Sequence, residues 1–258
     1  MANLIPEYMN GFKYQTTHEL ISKEKDDHYN ELLKSLLENY PSSIIDGRLP
    51  TYLDWLTADN LVYTEELQRL IEDESSFSVF ISHVNQLKSE LPENPSSLSI
   101  KMNYAYSVTL MESCLSDMIK HAVLTEDEFM QNALNNLVDF KSIKVPLADI
   151  YNDPDFAKKR VMSTLTEYLY HKIDFVLLSY HLILGSDRPE SVENLKPEII
   201  QIAKNRHDIV HRNGFDKEGR ALTLSKNDLI KAIQDISDFV QGMHMHIENT
   251  KKMLLASQ

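Results

Sequence analysis

Apolar side chains recur at helical spacing along almost the whole chain. Between residues 17 and 40, Leu20, Ile21, Tyr29, Leu32, Leu33, Leu36 and Leu37 predict a helix that Pro41-Ser42-Ser43 ends. A second helix is expected over 51–71, carrying Leu53, Trp55, Leu56, Leu61, Leu67 and Leu70, and a third over 76–91. Pro92-Glu93-Asn94-Pro95-Ser96-Ser97 follows and is the strongest boundary signal in the chain. It divides an accessory helical region, 1–95, from a larger helical domain, 96–258.

That larger domain opens with a long helix over 98–123, where Ala105, Val108, Leu115 and Ile119 share one face and Glu112 stands within the apolar stripe. Helices are expected over 127–140 and, as one long element, over 155–184; Asp187-Arg188-Pro189-Glu190 breaks the latter. Pro197 suits the first turn of the next helix, whose inner face holds Ile199, Ile202, Ala203, Arg206 and Val210 until Asn213-Gly214 stops it. Residues 215–224 form a polar loop or short hairpin. Ser225-Lys226-Asn227-Asp228 resembles a capping box before a last helix with Leu229, Ile233, Ile236, Phe239, Val240, Met243 and Ile247 inward. The fold class is therefore all-α, a helical bundle preceded by an accessory helical region.

Composition agrees with this pattern: 42% hydrophobic and 25% charged residues, with only 6 glycines and 9 prolines in 258 residues, leave little room for turn-rich β architecture. The apolar run from Phe175 to Leu184 is about half the roughly 20 residues that a bilayer span needs, so it reads as a core helix and no membrane association is expected. Met1 to Tyr14 lacks a basic segment followed by an apolar stretch, and a cytoplasmic location is the default expectation. The single cysteine, Cys114, cannot form an internal disulfide and reads as a packed side chain.

A net charge of −13 argues against broad nucleic-acid binding, which depends on neutralising phosphates with Lys and Arg. The charge is unevenly spread. Residues 201–226 hold six basic side chains (Lys204, Arg206, Arg212, Lys217, Arg220 and Lys226) against three acidic ones (Asp208, Asp216 and Glu218), so a phosphate site belongs here.

Within that stretch, Arg206, polar His207 and His211 fit the pattern R-x(4-6)-H, and the flanking Lys204-Asn205-Arg206-His207-Asp208-Ile209-Val210-His211-Arg212-Asn213-Gly214 extends the match. Over roughly 98–250 the chain resembles the HEPN superfamily. That resemblance implies a helical domain, often dimeric, that cleaves RNA without metal, commonly in toxin–antitoxin systems or antiviral defence. It also implies an acidic residue on an earlier helix, a place that Glu112 fills.

Physical chemistry gives these residues roles. An ionised carboxylate on a core-facing seam needs a partner, and Arg206, on the inner face of its own helix, is the expected one. Arg206 would contact the scissile phosphate while Glu112 orients the guanidinium, and His211, with a reference pKa near 6.5, would act as acid or base. His207, Asp208, Asn205, Lys204, Arg212 and Asn213 are expected to support the site or contact RNA. Five positions along an α-helix separate Arg206 and His211 by about 140°, so a homodimer that lines one cleft with two copies of the motif is expected. The expected partners are an RNA substrate and a second copy, with a regulatory protein as a further candidate; no cofactor and no metal is expected. His207 and His211, at i and i+4, also have zinc-ligand spacing, with His244 and His246 as conceivable further ligands, but support of the site is preferred. The alternative function is a non-catalytic helical dimer that binds protein or nucleotide, in which Glu112 and Arg206 form a structural pair.

Overall fold

The computed structural model describes residues 76–141 and 144–257; the helices expected over 17–40 and 51–71, and Trp55, lie outside them. The chain divides into two units, Met1–Arg69 and Leu70–Gln258, and all described residues belong to the second. Among them are eight helices: α1 (Ser76–Glu90), α2 (Ser97–Thr125), α3 (Asp127–Asn136), α4 (Leu147–Asn152), α5 (Phe156–Thr166), α6 (Ile173–Leu184), α7 (Glu190–His211) and α8 (Lys226–Ser257). The fold is all-α, as the periodicity predicts.

Helix α2 is the hub, in contact with α1, α3, α5, α7 and α8. Its stripe buries Val108, Met111, Leu115, Ile119 and Ala122 at under 2% exposure. The Ser96 side chain accepts from the Ser99 amide at 3.2 Å and so caps the helix start. Helix α8 lies along α2 and α7 and buries all seven residues expected on its inner face. Its start is the anticipated capping box, closed by Ser225 Oγ donating to Asp228 Oδ2 at 2.6 Å and the Asp228 amide donating to Ser225 Oγ at 3.2 Å.

Four sequence expectations change. The Pro/Ser segment before α2 lies inside the second unit, because α1 buries Phe80, Val84 and Leu87 and packs on α2 and α8. Lys226 ties that segment to the start of α8 by donating to the carbonyls of Pro92 and Glu93 at 2.9 and 3.0 Å. Helix α3 stops at Asn136, where Leu137 turns to an extended backbone. The element expected over 155–184 is two helices: its start lies at Phe156, and a turn over 167–172 splits it. Tyr170, buried, donates to the carbonyl of Leu165 at 3.0 Å, and Tyr168 donates to Asp139 at 2.7 Å, so the aromatics anchor the turn. Finally, α7 begins at Glu190, which leaves Pro197 inside it. Fully buried Val192 anchors the added turns, and Glu190 and Glu193 meet the positive end of the helix dipole.

Helix α6 is held from two sides. Tyr180, fully enclosed, donates to the carbonyl of Leu115 on α2 at 2.6 Å, while Asn132 and Asn136 of α3 donate to the carbonyls of Ile183 and Leu182 at its C-terminus. Cys114 is buried as expected, and burial pushes its thiol up to about 12. No helix among the described residues is long and apolar enough to cross a membrane.

If α1 is part of the core, Phe80→Ala should lower unfolding free energy by about 3 kcal/mol, as for other large-to-small core changes. Urea denaturation followed by circular dichroism reads this directly; an unchanged midpoint would place α1 outside the cooperative unit.

Candidate active site

The motif occupies the last two turns of α7, and the way this helix ends determines the site. Asp208 is only 3% exposed, and its carboxylate accepts from Arg212 Nη1 one turn on. Its carbonyl accepts from the amides of Arg212 and Gly214 at 3.1 and 2.9 Å. This is a Schellman-type stop with Asn213 (φ 53°) and Gly214 (φ 81°) left-handed, so Asn213 serves the backbone turn. Asp208 is thus a buried structural anion, with Arg212 as its counterion.

His207 and His211 project from this end, both exposed, with ring centroids 4.8 Å apart. Desolvation, followed by the charges of Arg212 and His211, holds the His207 ring below its ordinary value of 6.5. His207 also lines a cleft of about 580 Å³ between the end of α7, the start of α6 and the loop after α7. Lys204, Arg212, Lys217, His171 and Lys172 line the same cleft, with Asp174 as the acidic member. Asp174 is taken by Lys196 at 2.7 Å and Arg212 by Asp208. Among the described residues Lys172, Lys204 and Lys217 have no ion-pair partner, so the cleft carries uncompensated positive charge in a strongly acidic chain.

The expected Glu112–Arg206 pair does not form. Arg206 Nε is buried without a hydrogen-bond partner, and among the described residues the guanidinium meets no carboxylate. Glu112 is turned toward His171 instead, with Oε1 3.5 Å from the ring Nδ1. The turn that splits α5 from α6 causes this, since it projects His171 over the Glu112 face of α2. Val210, expected to be inward, is exposed, while Asp208 in the same turn is buried, so the inward face of this last turn is the one that carries Asp208. Asn205 bridges inward, donating to the Tyr104 hydroxyl at 3.1 Å and accepting from Gln201 at 2.8 Å, which makes it a packing residue. His244 stacks on Phe77 at 4.2 Å and His246 is buried, so neither joins His207 and His211. Among the described residues no cluster of three or more donors could hold a metal ion.

A family model described as RiboL-PSP-HEPN matches residues 68–249. The chain belongs to this HEPN family. None of the curated proteins or solved structures compared with it matches significantly.

In this HEPN domain sequence reasoning reached Lys204, His207, His211 and Arg212, and Lys217 as part of the basic stretch, but missed His171 and Lys172. A signal existed for both. Ser163, Thr164 and Thr166, followed by Tyr168 and Tyr170, are weak helix formers, and such a cluster favours a break over a continuous helix.

Two outcomes follow from the pairing. Arg212→Ala should destabilise the HEPN domain by about 3 kcal/mol, because it leaves the Asp208 carboxylate buried and unpaired, whereas Arg206→Ala should stay within about 1 kcal/mol. Thermal and urea melts of both variants check this. In an NMR titration the His207 ring should lose its proton below pH 6.5, since desolvation and neighbouring positive charge disfavour the imidazolium.

Proposed function

We propose that this HEPN domain is a metal-independent endoribonuclease. The observation that carries the reading is the His207–His211 imidazole pair beside a cleft whose three lysines have no ion-pair partner among the described residues of a strongly acidic protein. The lysines would hold RNA phosphates. One imidazole of the pair removes the proton of a ribose 2′-hydroxyl, which attacks the adjacent phosphorus and expels the 5′-oxygen. His207, held below its ordinary value, is neutral near pH 7 and ready to accept that proton. Arg206, which meets no carboxylate among the described residues, would face the phosphate as negative charge grows in the transition state.

Arg206 and His211 point to different sides of α7, so one cleft would draw them from two copies. Leu98, Met102 and Tyr106 make an exposed apolar stripe on α2, and Val210 and Phe215 are exposed beside the motif. Lys101, between Leu98 and Met102, reaches the end of α7: a Cβ on Gly214 would lie 2.5 Å from its Nζ. This apolar surface beside the motif supports a homodimer.

Purified protein incubated in EDTA with end-labelled tRNA and single-stranded RNA should leave 2′,3′-cyclic phosphate and 5′-hydroxyl ends, with DNA uncut. Arg206→Ala and His211→Ala should each cut about 100-fold more slowly or worse. No cleavage by wild type, or cleavage that requires added Mg²⁺, would overturn the proposal. Sedimentation should give twice the chain mass, and Met102→Asp should yield a monomer that no longer cuts.

A further inference from the structure

The ribonuclease reading needs an acid at the leaving 5′-oxygen as well as a base at the 2′-hydroxyl, and the turn over 167–172 presents a group suited to it. His171 is held there by its neighbours: Tyr170 is buried, Tyr168 is bonded to Asp139, and the Lys172 amide donates to the carbonyl of Leu169 at 2.9 Å. Its ring Nδ1 lies 3.5 Å from Glu112 Oε1, an oxygen that is itself buried and has no hydrogen-bond partner. The Glu112 carboxylate stands beside the Nδ1 edge of the ring at ion-pair distance, so a proton on the ring draws the two together with Nε2 on the opposite edge, the arrangement by which histidines are aimed in many active sites. The ring is a third exposed and lines the cleft that His207 lines from α7.

We propose that His171, oriented by Glu112, is the general acid of this cleft and works with His207 on the same phosphate. The inference rests on the ribonuclease reading and assigns a task to a residue outside the R-x(4-6)-H motif. His207 accepts the proton of the 2′-hydroxyl as the 2′-oxygen bonds to phosphorus. The bond from phosphorus to the 5′-oxygen breaks, its electron pair stays on that oxygen, and the imidazolium of His171 supplies the proton. His207 leaves the step protonated and His171 neutral, and exchange with water restores both. Glu112 is then a positioning residue for His171. Its carboxylate forms an ion pair with the ring whenever the ring is protonated, so the charged acid is not left alone on the core-facing side of α2.

The test compares two RNA substrates, one with the natural 5′-oxygen leaving group and one with a 5′-sulfur in its place, since a thiolate departs without needing a proton. His171→Ala should slow single-turnover cleavage of the natural substrate about 100-fold yet cut the 5′-thio substrate nearly as fast as wild type. Glu112→Gln, a conservative change that removes only the charge, should show a smaller loss that the 5′-thio substrate also suppresses. Cleavage of the natural RNA by His171→Ala within about twofold of wild type would overturn the inference and leave the ribonuclease reading intact, and so would an equal loss on both substrates. If wild type cuts neither substrate in EDTA, the ribonuclease reading itself falls and the inference falls with it.

Discussion

The site depends on one buried carboxylate. Asp208 sits at 3% exposure near the end of α7, where an ionised group survives only with full compensation. Arg212 supplies the charge, one turn further on. The Asp208 carbonyl meanwhile takes the amides that close the helix. This arrangement makes the helix stop, sends the chain back through left-handed Asn213 and Gly214, and brings Lys217 to the cleft. The exposed position of His207 and His211 follows, because they occupy the faces of the same turn that Asp208 leaves to solvent.

A second carboxylate, Glu112, poses the same problem behind His171, which lines the cleft from the turn before α6. It lies in the apolar stripe of the hub helix, but with its side chain 20% exposed it is only partly withdrawn from water. Its partner is a histidine and not the arginine of the motif. The consequence is electrostatic: among the described residues the Arg206 guanidinium meets no carboxylate, and the Glu112 charge faces His171, which lines the cleft. Positive charge is thus concentrated locally, against a net charge of −13 for the whole chain, and is not spread over the surface.

Much of the architecture was legible because single-helix periodicity is a local property. The inner faces of α2 and α8, the Ser225–Asp228 capping box and the glycine stop after α7 all follow from spacings within one or two turns. The break between α5 and α6 was only partly legible, because Leu165, Tyr168, Ile173 and Val176 keep roughly helical spacing across it, against the weak helix formers Ser163, Thr164 and Thr166. What decides the break is Tyr170 finding a buried place with a partner for its hydroxyl, and Asp139, far away in sequence, receiving Tyr168. Pro197 misled in the same way. A proline fits a first turn, yet buried Val192 and the Arg188–Glu193 ion pair lengthen the helix before it.

By itself the sequence determined the helical class, the family-bearing motif and its place at a helix end, and the basic stretch that surrounds it, since each is written in residues a few positions apart. Only the tertiary structure decided who meets whom. Glu112 and His171 are 59 positions apart in the chain, and their approach depends on how a turn between α5 and α6 lands on α2. Likewise, packing around α7 made Asp208 a structural anion paired with Arg212 and left Arg206 without a carboxylate among the described residues. Such choices are made when charges leave water, where the partner that arrives with the right geometry outweighs the one that spacing along a helix suggests.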